Sequence, residues 1–269
     1  MIRIICMCCA LLFLGLILAI GFDLYTEAAD VFYDGYLTDK PSDLGTKGGI
    51  APIILNTFII VGLAIAIAFP FSLAAAATYT MVLKSQPTTL QRLFIFLIDL
   101  GIGIPRIVWG LAGAAIFSGL FGLGFSIISG VLTLALLLSP ILTFGFIAGI
   151  ESLEKQLKIQ CQVLGLTDLV TFWMQLIPSA KSALLTTTLI AVGRGFGDAA
   201  ALLFTSGIAS RIPSSILDPA ATLSVWVFQL TTAIPGGEKR AFAAAFILFT
   251  ITLIIQGCLS ISNKKRFSL

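Results

Sequence analysis

The sequence predicts an all-α membrane protein with six transmembrane helices. Of its 269 residues, 58% are hydrophobic and only 11% are charged, and the mean hydropathy is +1.07. A water-soluble domain carries roughly 25% charged residues, so this chain lacks the polar surface that such a domain needs. Six apolar segments approach or exceed the roughly 20 residues that cross a bilayer as a helix. They are residues 4–22, 51–82, 93–118, 122–150, 182–206 and 241–261.

The first segment has two interpretations. Arg3 followed by an apolar run fits a cleaved signal peptide over residues 1–22. The run is about 18 residues long, however, which exceeds the usual core of a signal peptide. We therefore expect a retained first helix, which forms one region with the acidic segment after it, residues 1–47. The other five spans form a core over residues 48–269.

Basic residues orient the chain, because cytoplasmic loops are enriched in Lys and Arg. Nine of them lie on one side of the predicted spans and five on the other, and the remaining two are intramembrane. The side with nine includes the C-terminal run 264–266, so we expect both termini in the cytoplasm. On the outer side, residues 23–50 form an acidic segment, either a solvated face or a docking surface. Residues 207–240 enclose an apolar stretch, Ala220 to Thr232, that suits an interfacial or partly re-entrant helix.

Composition excludes several kinds of site. A net charge of +3 is too small to indicate nucleic-acid binding, and the chain has no histidine for acid–base or zinc chemistry. The five cysteines have no metal-ligand spacing, and we expect them to be apolar filler. They are Cys6, Cys8, Cys9, Cys161 and Cys258. We expect neither a catalytic site nor a metal or cofactor in this chain.

Charged residues inside apolar spans mark the first candidate site. Arg194 and Asp198 are four positions apart, so on a helix they share one face. An ionised side chain in a membrane helix costs about 2.5–3.5 kcal/mol, so such charges must face protein or water. Asp99 and Arg106 are seven positions apart and are likewise expected on one face. The four charges form either two neutral internal pairs or, through the arginine forks, a path for a tetrahedral oxyanion.

The connection over residues 151–181 is the second candidate site. We expect Gly165 to end one helix, Thr167 to cap a short second helix, and Pro178 to end that helix before the next span. Such a short apolar helix fits either a groove on a soluble partner or the lipid headgroups. Its apolar face consists of Leu169, Phe172, Trp173 and Leu176.

The interval from Gly165 to Pro178 resembles the EAA loop of bacterial ABC importer permeases. Residues 164–167 are similar to the usual Leu-Gly-Ala-Thr, whereas Ile-Gln-Cys at 159–161 replaces the Glu-Ala-Ala triplet. Residues 48–70, 103–111 and 193–205 resemble three stretches of phosphate importer permeases. The run Leu-Leu-Phe-Thr at 202–205 favours the PstA-type subunit over its PstC-type partner. Departures include Asp198 for Glu, Ala201 for Pro and Arg106 where a small residue is usual.

The resemblance implies a type I ABC importer permease in the bacterial cytoplasmic membrane. Its implied protein partners are a second, PstC-like permease, a PstB-like ATPase dimer and a PstS-like periplasmic phosphate-binding protein. ATP and Mg²⁺ would bind to the ATPase, since this chain has no Gly-x-x-x-x-Gly-Lys-Ser/Thr loop. The implied substrate pathway contains Arg194, Asp198, Arg106 and Asp99. The implied ATPase contacts are Gly165, Thr167, Leu169, Phe172, Trp173 and Pro178.

Three alternatives stay open at the level of the sequence. The same architecture serves other oxyanions, such as tungstate or molybdate. A self-sufficient secondary transporter or channel would work without nucleotide, but the inverted repeats typical of that class are not evident. A membrane enzyme would need a nucleophile with its base or a metal cluster, and neither pattern occurs.

Overall fold

The computed structural model describes residues 2–33, 35–84, 89–163 and 165–264. Within these ranges, five helical segments are long and apolar enough to cross a membrane, and a bent pair of helices makes a sixth when the two are counted as one span. The prediction of an all-α protein with six spans is therefore confirmed. Leu164 of the loop motif and the basic residues Lys265 and Arg266 lie outside the described residues, as do the side chains of residues 159–160 and 258.

The secondary structure is almost entirely helical, with one small hairpin. The long helices are α1 (Ile2–Ala28), α2 (Ala51–Thr78), α3 (Thr89–Gly103), α5 (Ile127–Val163), α7 (Ile177–Phe196) and α10 (Glu238–Lys264). The shorter helices are α4 (Arg106–Gly113), α6 (Asp168–Thr171), α8 (Ala200–Leu203) and α9 (Leu223–Thr232). Single π-helical stretches continue α2, α4 and α6: Tyr79–Leu83, Ala114–Leu120 and Phe172–Leu176. The antiparallel hairpin pairs β1 (Pro41–Ser42) with β2 (Lys47–Gly48).

Helix α5 is the centre of the bundle. It packs against α2, α7 and α3, and more than half of its most apolar stretch is buried. Leu134, Leu138, Leu142 and Phe146, which follow one another at helical spacing, are fully buried. Helix α1, in contrast, contacts mainly α10, and none of its most apolar stretch is buried. It lies at the periphery of the chain.

The predicted third span, 93–118, is broken rather than continuous. Helices α3 and α4 meet at an angle of 99°. Pro105 has no backbone N–H and its ring crowds the preceding turn, and a residue before proline disfavours helical backbone angles. Ile104 is that residue, and its own N–H still bonds to the carbonyl of Leu100 at 3.0 Å. The chain therefore turns at 104–105 and starts a new helix at Arg106.

The connection predicted over residues 151–181 is mostly helix. Helix α5 continues to Val163, and Gly165 then adopts a φ of 71°, so its predicted role in ending a helix is confirmed. Pro178 does not end the short helix as predicted. The π-helical stretch before it lets the Ile177 N–H bond to the carbonyl of Phe172, and Pro178 then enters the first turn of α7, where its missing N–H is not needed.

Residues 29–33 and 35–50 pack against α10 at the end of the bundle opposite to residues 165–176. Arg240 donates to the Gly48 carbonyl at 2.6 Å, and its guanidinium lies 5.6 Å from the centre of the Tyr36 ring. Lys239 forms an ion pair with Asp30 at 2.6 Å. The apolar stretch 220–232 contains helix α9, whose Trp226 is buried.

Candidate functional site

The predicted helix face shared by Arg194 and Asp198 does not form. Helix α7 ends at Phe196, and Gly197 follows it as the cap residue, so Asp198 lies beyond the helix. The two side chains also differ in environment, since Arg194 is exposed whereas Asp198 is only 1% exposed. Gly195 in the last turn and Gly197 at the cap position lower the helix propensity at the point where the face would have continued.

Asp198 instead pairs with Arg106. Its Oδ2 lies 3.8 Å from Nε of Arg106, whose side chain is 45% exposed. Its Oδ1 accepts a hydrogen bond of 3.0 Å from the N–H of Ala201 in the short helix α8. Among the described residues, Oδ2 has no hydrogen-bond partner although it is buried. The carboxylate is thus held at one oxygen by backbone and balanced at the other by a guanidinium at ion-pair distance.

The predicted pairing of Asp99 with Arg106 is also absent. The two residues lie on opposite sides of the break at Pro105, so the 99° bend separates faces that an unbroken helix would have shared. Asp99 is exposed, and so is Arg194. Within the described part of the chain, neither side chain makes an ion pair or a hydrogen bond. The structure therefore presents one buried carboxylate with a half-exposed arginine, plus two exposed charges.

Close packing holds in place the bend between α3 and α4, where Arg106 lies. Gly110 in α4 lies against α8 so tightly that an added Cβ would be 2.8 Å from the Ala200 carbonyl oxygen. Trp109 donates from Nε1 to the Gly101 carbonyl across the bend at 3.2 Å, and a Cβ at Gly101 would be 2.6 Å from Pro140 of α5. The sequence predicts close packing at Gly101, which is confirmed, but it assigned no role to Trp109 and Gly110, although small residues such as Gly are typical of close contacts between membrane helices.

The arrangement suits weak, reversible contact with an anion. A guanidinium offers a planar fork of donors that matches phosphate oxygens. Arg106 keeps part of that fork in the open, because its side chain is 45% exposed and its ion-pair contact with Asp198 is at Nε. Arg194 has its whole fork free of partners among the described residues. A pathway needs binding that is strong enough for entry and weak enough for release, which a carboxylate competing for the arginine provides.

Residues 165–178, the candidate coupling segment, have an inner side that faces the core and an outer side that is exposed. Thr167 caps α6, with its side chain accepting from the Val170 N–H at 3.4 Å, so the predicted cap is confirmed. Phe172 and Leu176 point into the core and are buried, which corrects the prediction that they share an exposed apolar face with Leu169 and Trp173. The exposed apolar residues are Leu169 at 59%, Trp173 at 53% and Met174 at 67%. Met174 was missed because it lies two positions from Phe172, off the predicted apolar face, and it faces outward once Phe172 faces the core.

Comparison with known proteins identifies the family. Residues 68–266 match the family described as binding-protein-dependent transport system inner membrane component, which is more than half of the chain. The chain belongs to this family. The predicted resemblance to ABC importer permeases is thereby confirmed, and the chain is a multi-pass component of a membrane transport system.

Curated relatives carry related names. The protein named "Probable ABC transporter permease protein YqgI" of Bacillus subtilis is 30% identical over 82% of this chain and 80% of its own length. The phosphate transport system permease protein PstA of Haemophilus influenzae is 28% identical over 93% of this chain and 82% of its own length. The phosphate transport system permease protein PstC of Mesorhizobium japonicum is 26% identical, with coverage of 85% and 78%.

A solved structure shares the fold. It is described as the crystal structure of an amino acid ABC transporter with histidines, and it covers 79% of this chain and 92% of its own. The TM-score is 0.57 at 17% sequence identity, so the likeness concerns the fold. It confirms the type I permease fold that the sequence resemblance implies.

Proposed function

We propose that this chain is the PstA-type permease subunit of an ATP-driven phosphate importer and forms half of its translocation pathway. The observation that carries the proposal is the pair of accessible arginines, Arg106 and Arg194, at breaks in membrane helices, in a chain that aligns with a PstA protein over 93% of its length. Arginine is the side chain best suited to bind a tetrahedral oxyanion through two parallel hydrogen bonds.

The ion pair between Arg106 and Asp198 is the resting state of the pathway. Asp198 holds Arg106 while no anion is present, and a passing phosphate competes with the carboxylate for the guanidinium. Arg194, which lacks a partner among the described residues, offers the second contact. Asp99 lies on the other arm of the bend and limits how strongly the anion is held, because like charges repel.

Energy comes from a separate ATPase dimer that docks on residues 165–178. The exposed trio Leu169, Trp173 and Met174 supplies an apolar contact of the kind that a short helix makes in a groove. Gly165 and Thr167 set the start of that helix, and Phe172 with Pro178 anchors it to α7. A second permease subunit completes the conduit, and a periplasmic phosphate-binding protein delivers the substrate. In this arrangement both termini lie in the cytoplasm of a bacterium whose inner membrane holds the complex.

Uptake in cells tests the substrate and the arginine together. The chain is expressed with its ATPase, second permease and binding protein in a strain that lacks phosphate import, and uptake of radioactive phosphate is measured. Arg194→Gln should abolish uptake while the complex still assembles, whereas the matched change Arg3→Gln on α1 should leave uptake intact. Normal uptake by Arg194→Gln would remove this residue from the pathway.

Competing anions separate phosphate from the second candidate substrate, tungstate or molybdate. Excess unlabelled phosphate should suppress uptake of the tracer, and molybdate or tungstate at the same concentration should not. If molybdate or tungstate competes better than phosphate, the importer serves that larger oxyanion instead.

A further inference from the structure

Helix α3 has three distinct sides, and one of them bears its charges. The side packed against the rest of the chain consists of residues spaced by three or four positions, with Ile98 and Gly101 buried at its centre. Two exposed flanks remain. One flank is made only of leucines: Leu90, Leu93, Leu97 and Leu100. The other flank carries Arg92, Phe96 and Asp99.

The two flanks suit different surroundings. An unbroken stripe of exposed leucines is suited to lipid or to an apolar partner surface. A carboxylate within a membrane span, by contrast, must face water or protein, because lipid would cost several kcal/mol. Asp99 has no ion-pair partner among the described residues, so its flank is the side of α3 that needs water or a polar neighbour. A groove of about 400 Å³ runs along this same flank, lined by Gln91, Arg92, Ile95, Phe96 and Asp99.

Arg92 lies on this flank towards the end of the bundle that carries the coupling segment. It is seven positions before Asp99 in the helix, which is about 10 Å along the axis. The neighbouring end of α2 is tied to α5 by the ion pair of Lys84 with Glu151 at 2.8 Å, a few residues before α3 begins. The flank therefore leads from the middle of the span, near the break that carries Arg106, towards the surface that the ATPase contacts.

We infer that the Arg92–Phe96–Asp99 flank of α3 lines the inner half of the conduit and that Arg92 is an anion subsite at its cytoplasmic mouth. The ligand class is a tetrahedral oxyanion, which the guanidinium receives after it leaves Arg106. This inference rests on the proposed function for the identity of the anion. The assignment of the flank to a water-filled path rests only on the geometry of α3.

Thiol labelling of the assembled complex tests the flank without reference to the substrate. Phe96→Cys and its neighbour Leu97→Cys are compared by their reaction with a hydrophilic, membrane-impermeant maleimide, relative to the identically treated parent. Phe96→Cys should react and Leu97→Cys should not, because a lipid-facing thiol is neither ionised nor reached by the reagent. A silent Phe96→Cys, or equal labelling at both positions, would show that the flank is covered by the partner subunit or that the sides are misassigned.

Charge rescue tests the subsite. Arg92→Cys should lower phosphate uptake into proteoliposomes about tenfold, the loss that corresponds to one charge-assisted hydrogen bond. Treatment of the purified complex with aminoethyl methanethiosulfonate, which restores a positive charge, should recover most of the uptake, whereas the anionic sulfonatoethyl reagent should not. Leu93→Cys, on the leucine flank, should respond to neither reagent.

The outcomes separate the two proposals. If the parent complex imports another anion, the proposed substrate is wrong, yet the labelling contrast between Phe96→Cys and Leu97→Cys still supports the flank. If the parent imports phosphate but Arg92→Cys retains full uptake, or both reagents rescue it equally, the subsite is refuted while the proposed function stands.

Discussion

Removing the charge of Arg106 should destabilise the assembled complex, because it leaves the buried carboxylate of Asp198 without its counter-charge. At the observed 3.8 Å, the attraction between two unit charges is about 4 kcal/mol for an effective dielectric constant of about 20. Arg106 is 45% exposed, so solvent screens it. We therefore expect a net cost near the values found for partly exposed pairs, about 1 kcal/mol.

The changes at Asp198 should follow a definite order. Asp198→Asn removes the charge but keeps an oxygen that accepts the bond from the Ala201 N–H, so its cost should be small. Asp198→Ala loses that bond as well and leaves a buried N–H without its partner. The additional cost should be about 1–2 kcal/mol, as for the loss of a side chain that caps a helix.

A double-mutant cycle is the assay. Unfolding of the purified complex is followed for Arg106→Gln, Asp198→Asn and the combination, and the coupling energy should be about 1 kcal/mol. The matched cycle pairs Arg194→Gln with Asp198→Asn and should give a coupling near zero. Stronger coupling of Asp198 to Arg194 than to Arg106 would refute the pairing of Asp198 with Arg106 and favour the pairing that the sequence spacing predicts.

Three further changes probe other parts of the chain. Trp173→Glu should uncouple ATP hydrolysis from uptake by placing a charge in the proposed apolar contact with the ATPase, whereas Trp173→Phe should couple normally; equal coupling in both would move the contact elsewhere. Gly110→Val should lower the free energy of unfolding by about 1–3 kcal/mol through overpacking, because its Cβ would lie 2.8 Å from backbone atoms of α8. The control Gly103→Ala, whose Cβ meets open space, should lower it by less than about 1 kcal/mol in the same unfolding assay. Burial raises the pKa of Tyr36 to about 12 from 10.0, so the unfolded chain loses the Tyr36 proton at a lower pH than the folded chain does. The free energy of unfolding should therefore fall as pH rises from 10 towards 12. In Tyr36→Phe, the unfolding midpoint should fall less over the same pH range.

The length of the apolar segments predicts the spans well, because a helix must be long enough to cross the bilayer. Helices α2 and α10 lie close to the predicted segments, since about 20 apolar residues must cross the hydrocarbon core. Thr167 and Gly165 were also predictable, because capping and left-handed backbone depend on local chemistry. Span length, a helix cap and a left-handed glycine can be predicted without knowing which helices pack against one another.

The charge pairs were mispredicted because they depend on where helices stop. The spacing of Arg194 and Asp198 implies contact only on an unbroken helix, and α7 ends between them. Pro105 likewise separates Asp99 from Arg106. The pairing of Arg106 with Asp198 joins residues that are far apart in sequence, through the packing of Gly110 against α8. No periodicity in a single sequence encodes such a contact.

The coupling segment illustrates a smaller effect of the same kind. A regular helix would place Leu169, Phe172, Trp173 and Leu176 on one face. In the structure, the bundle covers Phe172 and Leu176 but leaves Leu169 and Trp173 exposed. Met174 faces away from Phe172 on the helix and is exposed as well. The apolar character of the segment was predictable, whereas the set of exposed residues depends on what the neighbouring helices cover.

We propose that this chain forms half of a phosphate conduit driven by a separate ATPase. The most direct test is uptake of radioactive phosphate into proteoliposomes that contain this chain, the second permease and the ATPase, with the binding protein and ATP supplied. We expect phosphate accumulation that requires ATP and stops when this chain or the ATPase is omitted. Uptake by this chain alone without nucleotide, or no phosphate uptake by the complete complex, would contradict it.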